Sequence, residues 1–286
     1  MNQELFERTR DLEKKLSGKQ KKVAAYFLSN FERLPFRTVA EIASNASVSE
    51  PTVIRFVRSL GYGGFPELKD EFQKIILEKF GPSERLHRFI KETDRNLNGI
   101  IDNVFEREVR NLRDTQRELA LLNVKQIIKS IIRAKTKYVV GLRSTAGCAY
   151  ILGRHLSYVL PGVVTILDGD IKLFEGLRGI GRSDVLISIS YPRYTKNVVE
   201  AVQFAKDRKA LTIAITDSGL SPIARLSDFL ITAPSNSITV SNSYTACLTV
   251  INTIVSLISS INKKQTEATL KEWEKAIDLS SFFYKQ

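Results

Sequence analysis

The chain has 286 residues, 43% apolar and 26% charged, an ordinary globular composition with length enough for two domains. Its net charge of +12 suits an anionic partner, nucleic acid or a phosphorylated metabolite, although the excess is spread along the sequence. Two cysteines without paired spacing, Cys148 and Cys247, exclude a disulfide framework or a cysteine-built metal site, and no metal or other cofactor is expected. The N-terminus, MNQELFERTR, lacks the apolar stretch of a signal peptide, so the expected location is the cytoplasm.

Residues 1–80 read as all helix, with segments predicted at 4–14, 18–30, 38–45, 49–60 and 65–80. The stretch TVAEIASNASVSEPTVIR, Thr38 to Arg55, fits two short helices and a tight turn, the dimensions of a DNA-reading helix-turn-helix. Thr38 is a suitable N-cap, and Val39, Ile42 and Ala43 are expected to be buried. Asn45 to Val48 makes the turn, Ser49 caps the second helix, and Pro51 sits in its first turn, where a missing N–H matters little. Val53, Phe56, Val57 and Leu60 share one face, and Gly61 closes the helix. Ser49, Glu50, Thr52, Arg55, Arg58 and Ser59 are expected to face outward, a short polar and basic surface suited to a major groove. Thr52 and Arg55 are the candidates for base contacts, and Arg58, Lys19, Lys21 and Lys22 for phosphates. A hairpin used only for packing is the plain alternative; the basic run Lys14, Lys15, Lys19, Lys21 and Lys22 on a flanking helix favours DNA.

Residues 81–100 lose clean periodicity and read as a linker, followed by helices at about 101–120 and 124–135. From Lys137 the pattern changes to apolar runs alternating with helical stretches: YVVG (138–141), VVTIL (163–167), DVLISIS (184–190), LTIAIT (211–216) and DFLITA (228–233). Nearly continuous Val, Ile and Leu suits parallel strands covered on both faces, and the spacing leaves room for crossover helices. The expectation is an α/β protein: a helical N-terminal domain, then a three-layer α/β/α domain with a five-stranded parallel sheet. No charge occurs between Asp228 and Lys263, but the polar stripe along YTACLTVINTIVSLISSI fits a buried or subunit-interface helix at 243–262 better than a membrane span.

Ligands on such sheets bind beyond the carboxyl ends of the strands. Two of these ends carry hydroxyls where a helix begins: Gly141-Leu142-Arg143-Ser144-Thr145 after the first run, and Tyr191-Pro192-Arg193-Tyr194-Thr195 after the third. Ser144, Thr145, Ser188, Ser190 and Thr195, with Arg143 and Arg193, would form a phosphate-sized anion cradle. Each hydroxyl taken alone is as readily explained as a helix cap.

On these motifs the chain resembles the RpiR/MurR family of bacterial transcriptional regulators. TVAEIASNASVSEPTVIRFVRSLGYGGFPELK is similar to that family's helix-turn-helix signature, and the C-terminal portion is similar to a sugar isomerase (SIS) domain. The resemblance implies a regulator, acting as a repressor by family habit, that binds double-stranded operator DNA. It implies control by a sugar phosphate or related anion, a homodimer or homotetramer, and no membrane. The domains would be 1–80 (helix-turn-helix), 81–120 (helical linker) and 121–286 (SIS). The family's first loop reads Gly-x-Gly-x-Ser; here Gly141 is kept, but Arg143 and Thr145 stand at the second glycine and the serine. Its second loop reads Ser-x-Ser-Gly-x-Thr; Ser190 and Thr195 fit, while Pro192 and Arg193 replace the second serine and the glycine. Such a site still suits an anion, a carboxylate or a differently placed phosphate.

The rival class is a SIS-type sugar-phosphate isomerase, which needs a base beside a substrate carbonyl. His87 falls in the linker and His155 in mid-helix. Asp168 and Asp170 could approach the pocket, and Glu175 is the least implausible base, so no enzyme is expected.

Overall fold

The computed structural model describes residues 16–30, 34, 37–68, 86, 97–238 and 240–278. The helix expected at 4–14, Lys14, Lys15, His87, most of 65–80 and the tail 279–286 lie outside them. The described residues fall into two compact units, one within 1–81 and one within 82–286.

The N-terminal unit holds α1 (Gly18–Ser29), α2 (Val39–Asn45) and α3 (Glu50–Ser59). Two of the three helices open on reciprocal capping boxes. In α1 the Gln20 N–H donates to Ser17 Oγ while the Ser17 N–H donates to Gln20 Oε1. In α2 the Glu41 N–H donates to Thr38 Oγ1 and the Thr38 N–H donates to Glu41 Oε2 at 2.7 Å. That backbone N–H, with the Arg37 guanidinium, holds the Glu41 carboxyl below its ordinary pKa. The core gathers Val23, Ala24, Phe27, Ile42, Ala43, Val53, Phe56 and Val57, with Phe27 and Phe56 edge-to-face at 5.1 Å. Val39 is half-buried.

The second unit begins with α4 (Leu97–Leu121) and α5 (Val124–Arg133). A five-stranded all-parallel sheet follows, made of β1 (Lys137–Gly141), β2 (Val163–Ile166), β3 (Val185–Ile189), β4 (Leu211–Thr216) and β5 (Phe229–Thr232). Its order is β2-β1-β3-β4-β5. The crossovers contain α6 (Ala146–Val159), α7 (Ile171–Leu177), α8 (Lys196–Asp207) and α9 (Pro222–Leu226), and α10 (Thr245–Ile261) and α11 (Lys263–Asp278) close the chain. Alternate strand residues feed two cores, the expected three layers. Val139, Ile187, Ile213 and Ile231 pack with α5, α6 and α10, and Val140, Leu186 and Ala214 with α7, α8 and α9.

α4 is more than a linker. Asn111 and Thr115 are buried, and Asn111 Nδ2 donates to the Asn236 carbonyl at 2.9 Å. α10 is free of charge because Cys247, Val250, Ile251, Ile254 and Ile258 fill the core of this same chain; Thr249, Asn252 and Ser256 are exposed. The suspected assembly surface there is thus largely internal. Among the described residues no single helix is long and apolar enough to cross a membrane. α11 was not anticipated; its Trp273 meets Tyr158 of α6 edge-to-face at 4.7 Å.

Candidate functional site

In the helix-turn-helix, Ser47 turns the chain with a left-handed φ of 52°, and Gly61 ends α3 at φ +97°, a conformation that glycine adopts without a Cβ clash. Between them α3 presents Glu50, Pro51, Arg55, Arg58 and Ser59 to solvent, and Lys19, Lys21 and Lys22 are exposed on α1. Thr52 corrects the sequence expectation: it is 3% exposed, four residues before Phe56 on the core face, and shares a 2.9 Å hydrogen bond with Ser49 Oγ. Ser49 occupies the N-cap position, but its hydroxyl makes that bond instead of a capping one.

In the second unit the strand order reverses between β1 and β3, which pair in register up to Gly141 and Ile189. Crevices in doubly wound sheets form at such a switch point, beyond the carboxyl ends of the strands. Here a cavity of about 300 Å3 is lined by Leu142, Arg143, Ser144 and Thr145 from one loop and by Ser190, Tyr191, Pro192, Arg193 and Thr195 from the other. A third wall comes from the loop before α10, with Val240, Ser241, Asn242 and Tyr244. Gly141 makes the approach of α6 possible, since a Cβ there would lie 2.7 Å from the Thr145 carbonyl oxygen and 2.8 Å from Ala149 Cβ.

Neither Thr145 nor Thr195 makes the capping hydrogen bond that its position invites. Thr145 is 6% exposed; its hydroxyl accepts from the Leu142 N–H and donates to the Leu142 carbonyl, so it shapes the loop and has no proton left for a ligand. Thr195 and the 2% exposed Ser190 keep their hydroxyls for the cavity. Ser144 Oγ accepts from Tyr244 at 2.7 Å, which ties the third wall to the first loop. Asn242 Nδ2 reaches the Pro192 carbonyl at 3.4 Å. Tyr191 packs edge-to-face on Tyr244, and burial beside Cys247 pushes its phenol well above the ordinary pKa.

Arg143 and Arg193 carry positive φ values of 57° and 65°. Both are exposed, both line the cavity, and neither guanidinium is paired with a carboxylate among the described residues. No Asp, Glu, His or Lys stands among the described lining residues, so the cavity offers two fixed positive charges and several hydroxyl donors. That is an anion-binding arrangement.

Comparison with known proteins agrees with this architecture. Residues 3–78 match the helix-turn-helix domain of the rpiR family, and residues 130–257 match the SIS domain. The chain belongs to the RpiR family of transcriptional regulators. It is 28% identical over 219 residues to the HTH-type transcriptional regulator HexR of Escherichia coli (strain K12), covering 76% of this chain and 73% of that one. The sugar isomerase domain of an RpiR transcription factor from Sphaerobacter thermophilus superposes with a TM-score of 0.58 at 27% identity, over 62% of this chain and 98% of that one. The Vibrio vulnificus NanR protein, solved with ManNAc-6P, shares the fold over 96% of this chain and 97% of its own, with a TM-score of 0.55 and 20% identity.

Within this RpiR-family chain the structure brings together Arg143, Ser144, Thr145, Ser190, Arg193 and Thr195, but not Ser188. Ser188 corrects the expectation: it is wholly buried inside β3 between Val140 and Ala214, and its hydroxyl donates to the Ile213 carbonyl at 3.3 Å. Asp168, Asp170, Glu175 and His155 do not line the cavity. Asp170 caps α7 by accepting the Lys172 N–H, and Asp168 lies 3.9 Å from Lys172 Nζ. The sequence reading missed the third wall. Its signal was the polar run SNSITVSNSY, 235–244, following the last strand at the ligand-binding end of the sheet.

Proposed function

We propose that this regulator represses a carbohydrate catabolic operon and is controlled by a small anionic metabolite, a sugar phosphate or sugar acid, bound in the strand-end cavity. One observation carries the reading: the cavity at the β1/β3 switch point is lined by two arginines and several hydroxyls with no carboxylate to neutralise them. Its volume of about 300 Å3 is at the small end for ligand pockets and suits a metabolite of hexose size. Arg143, Ser144, Ser190, Arg193 and Thr195 hold the effector, and Thr145 shapes its loop.

On the DNA side, Arg55 reads bases, with Ser49 and Glu50 at the helix entrance and Arg58, Lys19, Lys21 and Lys22 on phosphates. Two copies of the 1–80 domain, in a homodimer or homotetramer, read a pseudo-palindromic operator in the cytoplasm. Residues 81–120 lead from that domain to the effector-binding 121–286, with α4 packed as part of the effector-binding unit. Turnover by an isomerase mechanism is disfavoured because proton abstraction needs a base, and the described lining supplies neither carboxylate nor imidazole.

A thermal-shift screen of the intact protein against sugar phosphates, sugar acids, inositols and inositol phosphates tests the reading. A ligand in excess of its Kd raises the Tm by mass action. The expected result is a set of anionic hits that disappear in Thr195→Ala. Hits confined to neutral sugars, or no hit at all, would overturn it.

A further inference from the structure

The two left-handed arginines are the least expected feature of the cavity. A non-glycine residue at φ near +60° is strained by roughly 1–3 kcal/mol. Ser47 and Lys209 share the conformation at turns elsewhere, but among the described residues only the arginines place two such residues on one cavity. Arg143 and Arg193 share this conformation, on neighbouring loops of one cavity, at positions where glycine would sit without strain. Neither side chain repays the fold: both are exposed, and neither forms an ion pair or hydrogen bond with a described residue. Two guanidiniums on one cavity, with no carboxylate among its described lining residues, give it a positive potential that favours an anion. The floor beneath them has its own donors, the hydroxyls of Ser190 and Thr195. One oxyanion on that floor leaves the guanidiniums for another, for which their forked donors are well shaped.

We propose that Arg143 and Arg193 form a selectivity clamp for an effector with two separate anionic groups, one seated on the hydroxyl floor and one gripped by the arginines. The second group is an oxyanion, carboxylate or phosphate. This inference rests on the cavity being the effector site, and it specifies which anions that site prefers.

The test pairs ligands that share a skeleton and differ by one anionic group: gluconate with 6-phosphogluconate, glucose 6-phosphate with glucose 1,6-bisphosphate, and inositol monophosphate with inositol bisphosphate. Affinities are measured calorimetrically for the intact wild-type protein, Arg143→Gly, Arg193→Gly, the double variant and Thr195→Ala. In at least one pair the doubly anionic member should bind the wild type about ten- to a hundredfold tighter, the range of a charged hydrogen-bonded contact. Each glycine substitution should erase most of that advantage. The ligand-free Tm of the glycine variants should equal or exceed that of the wild type, because glycine relieves the left-handed strain.

Equal affinity within every binding pair would overturn the inference, as would an advantage that survives the double variant. So would a fall in ligand-free Tm in the glycine variants, which would make the arginines props of the fold. If the advantage survives the double variant but binding is lost in Thr195→Ala, the clamp fails and the cavity reading stands. If no pair binds, or binding is untouched in all variants, the cavity reading fails as well.

Discussion

The helix-turn-helix and the strand-end cavity differ in how far they follow local rules of capping and backbone conformation. In the N-terminal unit two of the three described helices are capped in full: Ser17 with Gln20 and Thr38 with Glu41 form reciprocal pairs. Ser49 at the start of α3 bonds Thr52 instead, and α3 ends at a left-handed glycine. In the cavity the same residue types leave those duties undone. Thr145 and Thr195 stand at helix starts without capping, and arginines occupy left-handed positions that glycine would take without strain. A DNA-reading helix needs only a stable frame that presents polar side chains, so local rules and function agree there. A ligand cavity needs donors left unpaired, so local rules are broken where the ligand belongs.

Four predictions, on six substitutions, break or sharpen that contrast, in falling order of effect. Phe56→Ala removes a fully buried ring held edge-to-face by Phe27, and should lower the stability of the N-terminal unit by about 3–5 kcal/mol in denaturant unfolding. Arg55→Ala should weaken operator binding by about 1–3 kcal/mol and relax preference at one base position. Thr52→Ala, by contrast, should leave base preference unchanged, since that side chain is buried; competition assays on operator variants distinguish the two. Thr38→Ala should destabilise by about 1 kcal/mol through loss of its cap, whereas Thr195→Ala should stay within about 0.5 kcal/mol because no cap exists to lose. Equal losses at the two threonines would erase the contrast. Lys22→Ala should weaken specific and random DNA alike and reduce the salt slope of binding by about 1, as a phosphate contact does.

Much of this was legible in the amino-acid order. Each predicted apolar run matches a strand to within one residue at either end, because parallel strands covered on both faces have no polar alternation to blur them. The helix-turn-helix was legible because its caps, Pro51 and Gly61 are local signals. Thr52 was misplaced because a threonine reads as polar, although its spacing to Phe56 and Leu60 put it on the core face. Ser188 was misplaced for a related reason: inside a strand buried on both faces, sequence gives no sign of which residues reach the end. The third wall of the cavity was invisible because β5 ends at the edge of the sheet, with β4 between it and β3, and the return of Val240, Ser241, Asn242 and Tyr244 to the β1 and β3 loops is a tertiary fact. The left-handed arginines could be suspected only from the glycines they replace; their φ values come from the structure.

The account stands most directly on whether an anion in the cavity changes DNA affinity. Operator binding of the intact protein should therefore be titrated with and without an anion that raises its Tm. The prediction is a weaker operator affinity by about 5–150-fold with ligand present, and the same factor in ligand affinity when operator is present, as linkage requires. Ligand binding that leaves operator affinity unchanged would contradict the account.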